Sequence, residues 1–242
     1  MGGGRRSPPF FLDERVKAEL RRFGNDNSPV VVIDEFSGAL ERILDIAQSL
    51  APYPPSTNFY PGLRRRILKA DEAAAAYVVD TCEAASQFIG GAFEIDSFDL
   101  LEASFSIITT TPSALSMPQR APHFDTTDQN YLALLHYLRV PTRTGTAFYR
   151  QRSTGIEHVT ESNVDLFVET AKAEVAMLPA NSGYIQGSDP YFEEIGSIEA
   201  VPDRLIIYQG NLLHSGMIPP QTELSADPRL GRLTANLFVQ GL

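Results

Sequence analysis

From Phe98 onward the chain runs in short stretches rich in β-branched and aromatic residues, each cut off by proline, glycine or aspartate. Ala103 to Thr111, Tyr131 to Val140, Thr144 to Arg150, Phe192 to Ala200, Arg204 to Tyr208 and Arg232 to Val239 all have this texture. Short strands of this kind bury one face each and need a second layer opposite, which limits them to a sandwich or a barrel. One interruption differs. Ser162 to Val175 places Val164, Phe167, Val168 and Ala171 at helical spacing and is expected as a helix between strands.

The first part of the chain reads differently. Asp13 to Phe23 has Val16, Leu20 and Phe23 at helical spacing, Asp13 at the N-cap position and Gly24 just beyond, which predicts a short amphipathic helix. Pro29 to Asp34 is a compact strand, after which Ser37 is placed to cap a helix with the stripe Leu40, Ile43, Leu44 and Ala47. Pro52, Pro54, Pro55 and Pro61 mark a loop, and the alanine-rich stretch from Asp71 to Ile89 predicts a second helix ended by Gly90-Gly91. The expected organisation is a disordered tail over 1–12 and one domain over 13–242, helical over 13–97 and β-rich over 98–242.

The chain has 242 residues, 43% of them hydrophobic, enough to bury one sizeable core. A formal net charge of -10 and a pI near 4.9 repel a phosphate backbone, so nucleic acid is not expected as a partner. Cys82, the single cysteine, cannot form an intrachain disulfide, and a reducing, cytoplasmic setting is expected. Arg5-Arg6 is followed too soon by Asp13, Glu14 and Arg15 for an export signal, and no run approaches the ~20 apolar residues of a membrane span.

Three residues carry the chemistry. His123 and Asp125 flank Phe124, and in extended backbone both would leave the same face and meet one ion. Alone, such a triplet is weak. His214, directly after the strand ending at Tyr208, adds a second imidazole. Two histidines and a carboxylate on one face of an octahedral ion leave the other positions open, as non-haem iron(II) oxygenases require; zinc is the competing ion. In the last strand Arg232, Thr234, Asn236 and Phe238 share one face, and Leu233, Ala235, Leu237 and Val239 the other. An arginine with a hydroxyl two residues on can hold a carboxylate.

His123, Asp125, His214 and Arg232, in that order and with Thr234 completing R-x-T, resemble the 2-oxoglutarate- and iron(II)-dependent oxygenase superfamily. Thr144 to Phe148 resembles the small-residue strand that follows H-x-D in prolyl-hydroxylase-like members, and Val201 to Tyr208 resembles their penultimate strand. Val30 to Phe36 with its following helix, and Tyr60 to Arg64, resemble an uncharacterised bacterial group within the superfamily. The resemblance implies an α+β fold, a double-stranded β-helix (jelly-roll) core with N-terminal helices packed on one sheet. It implies Fe(II) on His123, Asp125 and His214, 2-oxoglutarate on Arg232 and Thr234, and hydroxylation of a small molecule or an amino-acid side chain. Halogenating relatives lack the carboxylate, so Asp125 points to hydroxylation. In much of the superfamily the carboxylate-binding cation follows the distal histidine more closely than Arg232 follows His214, which leaves Arg229 as a rival. A reading from another class is a non-catalytic or differently metallated, cupin-like binding protein.

Other residues have structural readings. His136 is expected as a hydrogen-bonded core or rim histidine, His158 as a loop residue without chemistry, and Arg64-Arg65-Arg66 as a solvated charge run. Tyr131 and Tyr208 carry hydroxyls able to donate to bound 2-oxoglutarate, although strand aromatics more often serve packing.

Overall fold

The run Pro29-Val30-Val31-Val32-Ile33 has no polar member, so a strand made of it must be covered on both faces. In the computed structural model, which describes residues 17–179 and 181–242, it is covered on both. Strand β2 (Ser28–Asp34) lies between β1 (Lys17–Phe23) and β8 (Arg204–Gln209) in a seven-stranded antiparallel sheet. The sheet continues through β5 (Tyr131–Arg139), β10 (Leu233–Gly241), β4 (Phe98–Ile108) and β3 (Gly62–Arg66). A second sheet has β6 (Gly145–Gln151) at its centre, flanked by β7 (Phe192–Glu199) and β9 (His214–Met217).

Two apolar layers hold these sheets. Val31 and Ile33, Leu132 and Leu134, Leu205 and Ile207, and the full set Leu233, Ala235, Leu237 and Val239 face α1 (Leu40–Ser49) and α2 (Glu72–Phe93). Ile43 and Ala47 of α1, and Tyr77, Ala85 and Ile89 of α2, close that layer. Val30, Val32, Leu135, Tyr137, Ile206 and Tyr208 leave the other face and pack on Phe148 and Ile198 of the smaller sheet. Each aliphatic side chain fully removed from water here contributes about 1.5–3 kcal/mol. The expected helix between strands is α3 (Val164–Ala176), which packs with Tyr149, Val159 and Leu213 beneath the smaller sheet. No helix among the described residues is long and apolar enough to cross a membrane.

Local expectations fail at four places. The described part of the helix expected over 13–23 is strand β1, because Val30 to Val32 offers an edge to pair with and Gly24 and Asn27, at φ 68° and 52°, make the turn. The tail expected over 1–12 lies outside the described residues. The second helix passes through Gly90-Gly91 and stops at Glu94, which takes the left-handed conformation at φ 59°. Glycines cost a helix about 1 kcal/mol each, and the contacts of Ile89, Phe88, Ala92 and Phe93 with the core outweigh that. Segment 13–97, expected as helical apart from the strand at Pro29 to Asp34, supplies β1 and β3 to the large sheet as well as that strand, β2.

Ser37 does not cap α1 as expected. Its hydroxyl donates to Asp203 Oδ1, and Asp203 also accepts from the backbone N–H groups of Ser37 and Gly38 and from His136 Nε2 at 2.9 Å. His136 is thus a core histidine, with the Tyr77 hydroxyl 2.8 Å from its Nδ1. Burial pushes the Asp203 carboxyl up, but the hydrogen bonds from His136 and Ser37 outweigh this and hold it below its ordinary value. Asp203→Ala strands four donors and should cost about 2–4 kcal/mol in urea unfolding. A carboxyl depressed in the folded state stabilises above its unfolded pKa, so the wild-type advantage is present at neutral pH and fades as pH falls through the folded value. An unchanged urea midpoint in Asp203→Ala would remove this pin from the account.

Candidate metal centre

The segment from His123 to Asp125 runs extended against β9: His123 N–H donates to His214 C=O and His214 N–H to His123 C=O, both at 2.9 Å. Asp125 N–H is held by Gly210 C=O at 2.7 Å. Extended backbone sends His123 and Asp125 to one side and Phe124 to the other, where its ring meets Phe167 of α3 edge-on. Gly210 is needed there, since a Cβ would sit 2.5 Å from the Tyr131 ring and 3.3 Å from Asp125 Cβ.

The three side chains converge. One ligand atom from each of His123, Asp125 and His214 lies within 4.8 Å of the others, with His214 Nε2 3.7 Å from Asp125 Oδ2. His214 Nδ1 is 2.8 Å from Leu212 C=O, so Nδ1–H donates there and Nε2 is left with its lone pair toward the other two. His123 and Asp125 are reachable from a cavity of about 370 Å³, while His214 is buried. Burial, with His214 beside it, lowers the His123 pKa to about 4, and burial lowers that of His214 to about 4. Burial raises Asp125, against the pull of His123 and Arg64. Neutral imidazoles beside one carboxyl suit a divalent ion with open positions.

These depressed values carry a stability consequence for the metal-free protein. An unfolded histidine titrates near 6.5, so between about pH 6.5 and pH 4 the unfolded chain binds more protons and stability declines as pH falls. His214→Gln should flatten the decline of the melting midpoint over that window, and His123→Gln should flatten it less because the cavity admits water. An identical decline in both variants would contradict the assignment.

The polar face of the last strand, from Arg232 just before β10 onward, lines the same cavity. Arg232, Thr234, Asn236 and Phe238 all line the cavity. Arg232 is 3% exposed, donates to Gly145 C=O at 3.3 Å and lies over the Tyr137 ring, but its Nε has no partner and no carboxylate among the described residues is within 4.0 Å. The Thr234 hydroxyl donates to Asn236 Oδ1 at 2.8 Å. Arg229 points elsewhere, exposed and ion-paired with Asp45 of α1.

His158 bridges Ser28 and Asn211, 2.7 and 3.0 Å away, and so joins β2 to the loop before β9. Tyr208 lines the cavity with its ring edge-on to His214 at 4.8 Å, whereas Tyr131 stacks on Phe238. The run Arg64-Arg65-Arg66 is not uniformly solvated, since Arg64 lines the cavity. Tyr60 was not anticipated: its hydroxyl is buried in the cavity wall beside Thr234, without a hydrogen bond of full geometry, and burial raises its pKa against the pull of Arg232 and Arg64. A tyrosine in a proline-rich loop carries no sequence signal for such a place.

A family model described as "Family of unknown function (DUF6445)" matches residues 14–239. No curated protein matches. Among solved structures, the chain is similar to the non-haem α-ketoglutarate-dependent epimerase SnoN from nogalamycin biosynthesis, with a TM-score of 0.53, 13% identity, and 88% of this chain and 79% of that one covered. It is also similar to HygX from Streptomyces hygroscopicus with nickel, 2-oxoglutarate and hygromycin B bound (TM-score 0.50, 14% identity, 89% and 84% covered). AviO1 from Streptomyces viridochromogenes gives a TM-score of 0.53 at 12% identity, with 91% and 90% covered. At these identities the likeness speaks for the fold alone.

Proposed function

This chain belongs to the DUF6445 family, whose description names no chemistry, and we propose from the site itself that it is an iron(II)- and 2-oxoglutarate-dependent oxygenase on a double-stranded β-helix. Its reaction is the hydroxylation of a small molecule or an amino-acid side chain. The observation that carries this reading is the pairing, in one cavity, of a His123, Asp125, His214 cluster with a buried arginine that has no carboxylate partner.

The donor set fits the group. Two neutral imidazoles and a carboxylate leave positions open on an octahedral ion, where a four-coordinate structural zinc site would leave none. A ferrous ion held by His123, Asp125 and His214 would, with 2-oxoglutarate as the co-reductant that ends as succinate and carbon dioxide, supply the oxidising power of dioxygen. The protein does the rest. The Leu212 carbonyl fixes the His214 tautomer, Asp125 offsets one positive charge, and Arg232 with the Tyr60 hydroxyl binds the distal carboxylate. Thr234 joins them once its hydroxyl turns from Asn236. Tyr208 and Phe238 restrict water around the reacting atoms.

Because SnoN is an epimerase on a similar fold, the test reads the substrate as well as the cosubstrate. Fe(II)-loaded protein with 2-oxoglutarate and oxygen is screened against a metabolite panel. Succinate should form only with iron and rise with a substrate that gains one oxygen. Bound metal without succinate under any condition favours the cupin-like binding protein instead.

A further inference from the structure

Arg64, Arg65 and Arg66 are consecutive on β3, and only two of them have found carboxylates. Arg65 pairs with Asp71 at 2.9 Å and Arg66 with Glu102 at 3.2 Å. Arg64 donates from Nε to the Ser106 hydroxyl at 3.2 Å and lies over the Tyr60 ring, 4.7 Å from its centroid. Among the described residues no carboxylate is within 4.0 Å of it, and its terminal nitrogens have no hydrogen-bond partner. The chain carries 30 acidic residues against 20 basic ones, so an arginine without a carboxylate is not explained by a shortage of them. The unpaired one is the one that lines the cavity.

The charges in the cavity point the same way. Its charged lining residues are Arg64, Asp125 and Arg232. A divalent ion and a dianionic 2-oxo acid cancel each other, which leaves two arginines against one carboxylate. Arg232 is the deeper of the two, almost wholly buried; Arg64 is partly buried and stands beside the loop that carries the exposed Phe59.

We propose that Arg64 binds a carboxylate of the substrate, so that the enzyme takes an anionic compound whose body rests against Phe59 and Phe238. The proposal rests on the oxygenase reading above. The forked N–H donors of a guanidinium held over a tyrosine ring match a planar carboxylate and give a neutral amide no equivalent contact.

The test is calorimetric and needs no turnover. Full-length protein loaded with Fe(II) and 2-oxoglutarate without oxygen is titrated with a panel of N-acetyl amino acids and their carboxamides. At least one acid should bind about tenfold or more tightly than its own amide, as a desolvated charge pair requires. Arg64→Gln should abolish that preference and Arg64→Lys should keep part of it, both with wild-type affinity for 2-oxoglutarate. Equal binding of acids and amides, or no binding of either, overturns the proposal and leaves the oxygenase reading standing. Loss of 2-oxoglutarate affinity in Arg64→Gln also overturns it, since both arginines would then serve the cosubstrate. A wild-type protein that does not bind 2-oxoglutarate removes both readings together.

Discussion

Arg232→Leu should weaken 2-oxoglutarate binding at least tenfold while metal affinity stays at its wild-type value. The cost of leaving a desolvated carboxylate without its cation is about 2–5 kcal/mol, and each 1.4 kcal/mol is a factor of ten. A second sign accompanies it. Arg232 is buried with an orphaned Nε and no carboxylate nearby, so replacing it with an apolar side chain should leave the ligand-free fold equally stable or more stable. A structural arginine would give the opposite. Arg229→Leu serves as the control, since its exposed pair with Asp45 is worth at most ~1 kcal/mol. Loss of affinity in Arg229→Leu alone would reverse the assignment, and loss in neither would remove the cosubstrate from this cavity.

Asp125→Ala should lower iron affinity on the order of 100-fold or more, because it removes a coordinate bond and the one anionic ligand together; losses of 10–100-fold follow even from outer partners of a ligand. Asp125→Asn keeps an oxygen donor without the charge and should fall between. The folded protein should tolerate either change, since the Asp125 backbone is held by Gly210 and its side chain faces the cavity. Unchanged iron affinity in Asp125→Ala, read by anaerobic titration, would take this residue off the metal.

Much of the site was legible because it depends on alternation within one strand. Leu233, Ala235, Leu237 and Val239 read as a buried face, which places Arg232, Thr234, Asn236 and Phe238 on the other, and the fold uses both faces that way. The convergence of His214 with His123 and Asp125 was expected from the residue types, but its means, a backbone bridge between His123 and His214, has no local signature. What stayed hidden depends on distant partners. Leu20 and Phe23, three apart, fit one face of a helix, but pairing with β2 makes a strand that turns Phe23 onto Phe148 and leaves Leu20 exposed on the other face. Gly62 to Arg66 shows no apolar alternation, and it is a strand because β4 offers an edge and carboxylates meet Arg65 and Arg66. For the same reason Arg64 was read as solvated, since only the fold tells it apart from its two neighbours.

Anaerobic titration of 2-oxoglutarate into the wild-type protein, with and without Fe(II), tests most directly the claim that the triad and Arg232 form one site. If the cosubstrate bridges metal and arginine, binding should be saturable at one site per chain and at least tenfold tighter with iron than without. Equal affinity in the two titrations, or no binding to the iron-loaded protein, would contradict it.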